Sequence, residues 1–192
     1  CGGCTKCLEA CPTGALVAGG QINGKICISY LTQTKDFIPD EYRKKIGNRL
    51  YGCDSCQTAC PVNKGKDFHF HKEMEPDPEV VKPLLKPLLH ISNREFKKTY
   101  GMLAGSWRGK KPIQRNAIIA LAHFQDDSAI NELIGVLEND PRPVLRGTAA
   151  WAIGAIGGEK AREALEAAAE KEKDEDVRNE IEKGLGLIHE NE

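Results

Sequence analysis

Long apolar runs are absent from this sequence of 192 residues. No stretch approaches the roughly 20 apolar residues that a membrane-spanning helix needs, and no basic and then apolar leader precedes the first motif. Net charge is nearly absent too, at −1 for pH 7. The composition, with 40% hydrophobic and 29% charged residues, is typical of globular proteins. We therefore expect a cytoplasmic protein without a membrane partner.

Cysteine is absent from everything after residue 60, although the first 60 residues hold all 8. The first four, followed by a proline, have the spacing C-x2-C-x2-C-x3-C-P: Cys1, Cys4, Cys7, Cys11 and Pro12. In bacterial ferredoxins this run gives three thiolates to one [4Fe–4S] cluster, while the fourth binds a second cluster. The motif therefore predicts two clusters that carry single electrons.

The second cysteine run, Cys53, Cys56 and Cys60-Pro61, repeats the motif without its first cysteine, because Leu50 stands there. Cys27 is the one cysteine left to supply the missing ligand. The crossing rule of two-cluster ferredoxins then divides the eight thiolates into two sets. The first cluster is assigned Cys1, Cys4, Cys7 and Cys60. The second cluster is assigned Cys11, Cys27, Cys53 and Cys56.

Zinc sites and disulfides are the two alternatives for the cysteines. Two zinc sites would also use eight thiolates, and pairs such as Cys1/Cys4 resemble zinc-ribbon knuckles. The triplet spacing and both Cys-Pro endings argue against zinc. Disulfides require an oxidising compartment, which nothing in the sequence indicates.

The chain opens at Cys1, directly within the first motif and not at a methionine. We expect it to be a fragment of a longer protein, with other parts of a functional site lying outside it. Within the chain, composition and motifs predict three segments. They are a two-cluster ferredoxin-like module over 1–65, a basic linker with short helices over 66–112, and helical repeats over 113–192.

Local signals predict two elements inside the cysteine module. Residues 15–18 and 25–28 flank glycine-rich turn residues, which predicts a small β-hairpin that brings Cys27 back toward the clusters. Pro39 followed by acids and then by Arg43, Lys44 and Lys45 predicts a helix with a favourable charge distribution, ending at Gly47 or Gly52.

An internal repeat follows from about residue 113. Arg115, Arg146 and Arg178 occupy equivalent positions, which sets a period of 31 or 32 residues. Each copy predicts a helix rich in small residues, a turn and a second helix, such as 129–138 or 160–171. Such pairs resemble short HEAT repeats and stack into an α-solenoid. The predicted fold is thus mostly α, with a ferredoxin-like 2[4Fe–4S] module before the solenoid.

Basic side chains concentrate in residues 80–125, where nine stand against the single acid Glu95. Such an excess is typical of a surface that meets a polyanion. The predicted nucleic-acid contacts are an aromatic residue, which would stack on a base, and four cations, which would meet phosphates: Trp107, Arg108, Lys110, Lys111 and Arg115. The alternatives are a solvated loop and, for Trp107, a place in the core.

The displaced cysteine, the segment Ile28-Ser-Tyr-Leu-Thr32 after Cys27 and the repeats together resemble the epoxyqueuosine reductase family. The resemblance covers nearly all of the chain and corresponds to the carboxy-terminal half of those enzymes. It implies a cobalamin-dependent reduction of epoxyqueuosine to queuosine at the wobble position of tRNA, the last step of queuosine biosynthesis. The partners would be the anticodon stem-loop and an external one-electron reductant.

The resemblance also implies roles for individual residues. Ser29, Asp54 and Ser55 would face cobalamin, and Lys35 would reach the tRNA. These three cobalamin-facing residues adjoin ligands of the second cluster, which would therefore be the cluster next to cobalt. The main cobalamin domain and the catalytic acid would lie outside residues 1–192, so no catalytic residue is assigned here, and residues 1–192 alone would be inactive.

Two other functions remain open from the sequence. A corrinoid enzyme related to reductive dehalogenases would also pair two clusters with cobalamin, but it would not need a basic helical-repeat region. A non-catalytic electron-transfer subunit would use its repeats to dock a protein, and it would bind neither corrinoid nor nucleic acid.

Overall fold

The structure is a computed structural model that describes residues 1–66 and 70–190. Residues 67–69 and 191–192, which belong to the second and third predicted segments, lie outside the described residues. The boundaries of the three predicted segments stay predictions. Within the described residues, no helix combines the length and apolar character needed to cross a bilayer.

Short helices and one small antiparallel sheet build the cysteine module. Its helices are α1 Lys6–Glu9, α2 Ile28–Leu31, α3 Asp40–Ile46 and α4 Ser55–Ala59. Helix α3 confirms the predicted helix, and it ends at Gly47, whose φ of 62° favours glycine. Helices α1 and α4 contact each other, so the two cysteine runs meet although about 50 residues separate them.

The hairpin forms, but its second strand differs from the prediction. Strand β1 spans Leu16–Ala18 and β2 spans Gln21–Ile22, with Leu16 paired to Ile22 and Ala18 to Gln21. Gly20, at φ 75°, permits the two-residue turn between them. Residues 25–28 are not a strand, because the Asn23 side chain accepts a hydrogen bond from the Lys25 backbone N–H and starts a 3₁₀ turn over Gly24–Ile26.

The middle of the chain contains three short helices: α5 Pro78–Val81, α6 Leu85–His90 and α7 Asn93–Tyr100. Helix α7 begins with a capping box, in which the Ser92 and Glu95 side chains each bond the other's backbone N–H. Phe96 and Tyr100 are buried on one side of α7. A 3₁₀ segment over Ala104–Arg108 then leads into the repeats.

The repeat region consists of five longer helices: α8 Lys110–His123, α9 Ile130–Asn139, α10 Pro143–Ile156, α11 Glu159–Lys171 and α12 Glu175–Glu190. The predicted pairing of helices is confirmed, since α10 packs against α8, α9, α11 and α12. Small residues explain the close packing. A side chain at Gly154 would collide with the backbone of Gly184 on α12.

One apolar core joins the cysteine module to the repeats. It extends from Ile28 in α2 through Ile118 in α8 to Ile188 in α12. Helix α3 and the repeat helix α8 are in contact. The first and third predicted segments therefore fold against each other, and the repeats support the segments that carry the cysteines.

Candidate functional site

All eight cysteines are free thiols. Cys7 lies in α1, Cys56 lies in α4, and Cys27 immediately precedes α2. Cys1 and Cys4 are exposed, whereas the other six are partly buried. Because α1 contacts α4, the first cysteine run and Cys60, which follows α4, belong to neighbouring segments. This placement suits the crossed ligand sets.

The cysteines assigned to the second cluster surround one cavity. Its lining includes Cys11, Cys27, Cys53 and Cys56, together with the apolar Ala15 and Ile28. These four thiols come from three separate parts of the chain, so only the folded module brings them together. No cysteine of the first set lines this cavity. The residues present therefore fit a cluster with this ligand set.

Hydrogen bonds reach two of those sulfur atoms. The Ala15 backbone N–H donates to Cys11 Sγ at 3.2 Å, and the Ser55 hydroxyl lies 3.4 Å from Cys53 Sγ. Burial alone would raise the pKa of the Cys11 thiol, but bonds from the Leu16, Thr13 and Ala15 backbone and from the Thr13 side chain lower the pKa below its ordinary value. Such bonds favour the thiolate, which is the form that binds iron.

The geometry bears on the zinc alternative. A zinc ion draws four donors to about 2.0–2.3 Å from one point. Within residues 1–66 and 70–190, no three His, Cys, Asp or Glu side chains converge on a position for a single ion. The four cysteines of the second set instead line one cavity from three parts of the chain, which suits a cluster that takes one thiolate at each iron.

The three residues predicted to face cobalamin lie near the second set but do not line a common cavity. Ser29 is partly buried, and Gln33 Nε2 donates to its carbonyl at 2.8 Å. The Ser55 hydroxyl accepts from Arg49 Nη2 at 3.1 Å and lies beside Cys53. Asp54 is exposed and lines a different cleft. Their role toward cobalamin stays a prediction.

The cleft beside Asp54 was not anticipated from the sequence. Its volume is about 830 Å³, and it separates the loop before Cys53 from α5, α6 and the 3₁₀ segment. Tyr51 forms part of its wall, and Gly105 lies so close to the Tyr51 ring that a side chain there would collide with it. The apolar residues that line it, such as Val80 and Leu85, belong to the segment that the sequence predicted to be a linker with short helices.

The predicted nucleic-acid surface is only partly exposed. Lys35 is exposed, and Trp107 is 66% exposed, so Trp107 is not a core residue. The Arg108 guanidinium lies 4.0 Å from the centre of the Trp107 ring, which is a cation–π contact. Lys111 is partly buried. Lys110 Nζ donates to the Ile91 carbonyl at 2.5 Å, and burial lowers its pKa.

The prediction that Arg115 contacts nucleic acid is wrong. Its side chain is completely buried, and its guanidinium donates to backbone carbonyls of Leu31, Thr34 and Asp36. Burial lowers its pKa to about 10, which leaves it charged at neutral pH. A phosphate has no access to a side chain in this position.

Helix α7 supplies cations that the sequence analysis did not single out. Arg94, Lys97 and Lys98 are exposed, and their spacing of three and four residues places them on one face of the helix. The 3₁₀ segment that carries Trp107 packs against this helix. The basic excess over 80–125 was the available signal, but it did not distinguish exposed from buried cations.

Comparison with family models agrees with both halves of the fold. Residues 1–63 match the model of a 4Fe-4S double cluster binding domain, and residues 108–186 match the model of HEAT repeats. Two [4Fe–4S] clusters are therefore cofactors of this module. The mostly α fold with HEAT-like repeats is confirmed.

Comparison with individual proteins points to one group. The chain is 69% identical to an epoxyqueuosine reductase of Bacillus cereus over 98% of its length and 50% of the relative. It is 71% identical to that of Bacillus subtilis, covering 98% of this chain and 49% of the relative. The chain thus spans about half the length of these curated relatives.

A solved structure gives the same picture. A crystal structure of epoxyqueuosine reductase with an epoxyqueuosine-modified tRNA-Tyr stem loop superposes with a TM-score of 0.96 at 70% identity. The match covers 98% of this chain and 50% of that one.

Proposed function

The chain belongs to the epoxyqueuosine reductase family, and on that premise we propose that the protein reduces epoxyqueuosine to queuosine at the wobble position of tRNA. Residues 1–192 would supply the two clusters and part of the tRNA surface. The observation that carries the proposal is the joining of a two-cluster module to HEAT-like repeats through one apolar core. This build matches enzymes of that name along 98% of the chain.

The proposed reaction requires two electrons and two protons. Both carbon–oxygen bonds of the epoxide break, a carbon–carbon double bond forms, and the oxygen leaves as water. The clusters transfer electrons singly, and cobalamin, when bound, supplies the metal chemistry at the substrate. Reducing equivalents come from an external one-electron reductant.

Exposure of the cysteines supports a direction for electron flow. Cys1 and Cys4 of the first set are exposed, whereas the four cysteines of the second set are partly buried around one cavity. We place the entry of electrons at the first cluster and the exit toward cobalamin at the second. Ser29, Asp54 and Ser55 lie beside ligands of the second cluster and are the proposed cobalamin contacts.

The proposed tRNA surface consists of exposed or partly exposed cations and one aromatic ring. Its members are Lys35, Arg94, Lys97, Lys98, Trp107, Arg108 and Lys111. Lys110 stays a weaker member, because its amine is bonded to the Ile91 carbonyl. Cations of this kind neutralise phosphates, and an exposed ring stacks on an unpaired base. An anticodon loop offers both, and we place the reaction in the cytoplasm, where tRNA is modified.

The direct test is turnover. The intact protein, reconstituted anaerobically with clusters, corrinoid and a one-electron reductant, is expected to convert epoxyqueuosine to queuosine in tRNA, as read by mass spectrometry of digested nucleosides. Residues 1–192 under the same conditions are expected to give none. No queuosine from the intact, fully loaded protein would refute the proposed activity, and turnover by residues 1–192 would refute the need for further cobalamin contacts.

A further inference from the structure

Two neighbouring side chains on the first repeat helix reach into the cysteine module. Arg115 and Asn116 are adjacent on α8, and both are completely buried. Neither bonds mainly to its own repeat. Arg115 Nη1 donates to the carbonyls of Thr34 at 2.8 Å and Asp36 at 2.6 Å, and Nη2 donates to Leu31 at 2.9 Å. We refer to Arg115 and Asn116 as the carbonyl clamp.

Asn116 connects two parts of the cysteine module. Its Nδ2 donates to the Thr32 carbonyl and to the Leu50 carbonyl, each at 2.8 Å. Its Oδ1 accepts from Arg115 Nε and Nη2, which fixes the orientation of the amide. Thr32 lies five residues after Cys27, and Leu50 lies three residues before Cys53. One side-chain amide thus binds both the segment after Cys27 and the segment before Cys53.

A hydroxyl adds a second link between the same segments. Thr32 is buried, and its hydroxyl donates to the Ser29 carbonyl at 3.1 Å. The same hydroxyl oxygen accepts a hydrogen bond from the Gly52 backbone N–H at 3.0 Å. Ser29 and Gly52 lie within two residues of Cys27 and Cys53, respectively. The clamp, Thr32 and these backbone groups form one continuous network.

The clamp is costly to build, and this cost needs an explanation. A buried guanidinium normally pairs with a carboxylate. In the part of the chain that the structure describes, the hydrogen-bond acceptors of Arg115 are uncharged: three carbonyls, the Thr34 hydroxyl and the Asn116 amide. Carbonyl acceptors leave its positive charge without a hydrogen-bonded carboxylate, and the exposed Asp36 carboxylate only attracts it electrostatically. The guanidinium bonds to the segment that follows Cys27, which is assigned to the second cluster.

We propose that Arg115 and Asn116 are positioning residues for the second cluster, because they fix the segments that carry Cys27 and Cys53 and so set the potential at which that cluster takes up its electron. The inference rests on the proposed ligand sets. Cluster potentials depend on net charge, on hydrogen bonds to the sulfurs and on exposure to solvent, all of which follow from the placement of these segments. Arg115 and Asn116 thereby act on electron transfer from buried positions in a HEAT-like repeat, where they do not touch a substrate.

The chain offers a matched control on the same helix. Gln114 is also buried, and its Nε2 donates to two backbone carbonyls, those of Leu88 at 3.0 Å and Leu89 at 2.8 Å. These carbonyls belong to α6 and not to the cysteine module. Asn116→Ala and Gln114→Ala therefore each remove two buried amide–carbonyl hydrogen bonds from α8, and both are expected to lower stability. Only the Asn116 variant releases the cysteine segments.

The test is a redox titration of the intact, anaerobically reconstituted protein, followed by electron paramagnetic resonance. We expect Asn116→Ala to displace the midpoint potential or lose the signal of one cluster, the one that Cys27→Ala removes, while the other stays at the parent value. Gln114→Ala is expected to titrate as the parent does. Parent-like potentials for both clusters in Asn116→Ala, or the same shift in both variants, would overturn the inference.

A second variant keeps the inference testable when Asn116→Ala does not fold. Thr32→Val preserves shape but removes the hydroxyl that links Ser29 to Gly52, and it is expected to displace the potential of the same cluster. Parent-like potentials there would overturn the inference equally. The readout is independent of turnover, so a parent with two clusters and no queuosine formation would refute the proposed activity alone. A parent without two clusters would refute the ligand sets on which the inference rests.

Discussion

Arg43 in the cysteine module forms a two-pronged ion pair with Glu180 on the last helix, 137 residues further along the chain. Arg43 Nη2 lies 2.9 Å from Glu180 Oε1, and Nη1 bonds to Oε2. Both side chains are buried, and the guanidinium lies 5.3 Å from the centre of the Trp151 ring. The pair ties α3 to α10 and α12, so we expect the cysteine module and the repeats to unfold together.

Replacing Glu180 with alanine is expected to destabilise the protein by about 3 kcal/mol, because the buried guanidinium would lose its two-pronged partner. It would keep only Asp40, whose Oδ1 lies 3.0 Å from Arg43 Nη2. Denaturant unfolding followed by circular dichroism measures the change. Glu182→Ala is the control, since Glu182 is exposed on the same helix and its removal is expected to cost no more than about 0.5 kcal/mol. Equal midpoints for the two variants would show that the ion pair contributes nothing to stability.

Acid is expected to weaken the interaction between Arg146 and Glu172, whose Nε and Oε2 lie 2.8 Å apart. The hydrogen bond from Arg146 lowers the pKa of Glu172 below its ordinary value, although burial opposes this. A carboxyl with a lowered folded-state pKa stabilises the fold above its unfolded pKa of about 4.3, and this contribution is lost as the pH falls through the folded pKa.

The check compares the parent with Glu172→Gln at several pH values from about 7 down to about 3, because the contribution is lost below the unfolded pKa of about 4.3. The stability difference between them is expected to be largest at pH 7 and to shrink on acidification. Glu170→Gln, at an exposed position on α11, is expected to follow the parent throughout. A difference that stays constant with pH would show that Glu172 ionisation does not contribute to the fold.

Local patterns in the sequence were sufficient for the elements that depend on neighbouring residues. The spacing of the cysteines predicted the two-cluster module, and the charges between Pro39 and Gly47 predicted α3. The 31- to 32-residue period predicted the helix pairs, which the HEAT match confirmed. The second strand of the hairpin was predicted at the wrong residues. The Asn23 side chain caps the Lys25 N–H, which competes with strand pairing, and the sequence pattern does not show which of the two interactions is stronger.

Interactions between distant segments were not predictable in the same way. Arg115 belonged to two patterns at once, the basic stretch and the arginine of the repeat. The repeat position was the better guide for two of its three arginines, because Arg146 is likewise engaged, with Glu172. The third, Arg178, is exposed. The acceptors of Arg115 lie about 80 residues away in sequence, so no local signal distinguished it from exposed cations such as Lys97.

The salt dependence of tRNA binding tests the revised surface. In the intact protein, Lys97→Ala/Lys98→Ala is expected to weaken binding and to reduce the log–log salt slope by about 0.7–0.9 for each phosphate that the protein no longer neutralises. The effect should be similar for different tRNA sequences, since phosphate contacts carry little base information. Lys171→Ala/Lys173→Ala, on exposed positions in the acidic part of the repeats, is the control and is expected to match the parent. Equal slopes for both double variants would place the tRNA elsewhere.

The division of the eight cysteines into two crossed sets is the central claim, and the iron content of two cysteine variants tests it most directly. Cys4→Ala is expected to disrupt the first cluster and Cys27→Ala the second, so each variant should hold about half of the parent's eight irons. The electron paramagnetic resonance spectra of the two variants should show different surviving clusters, because the cavity lined by the second set of cysteines includes Cys27 but not Cys4. Full iron content in Cys27→Ala, or the same surviving spectrum in both variants, would contradict the account.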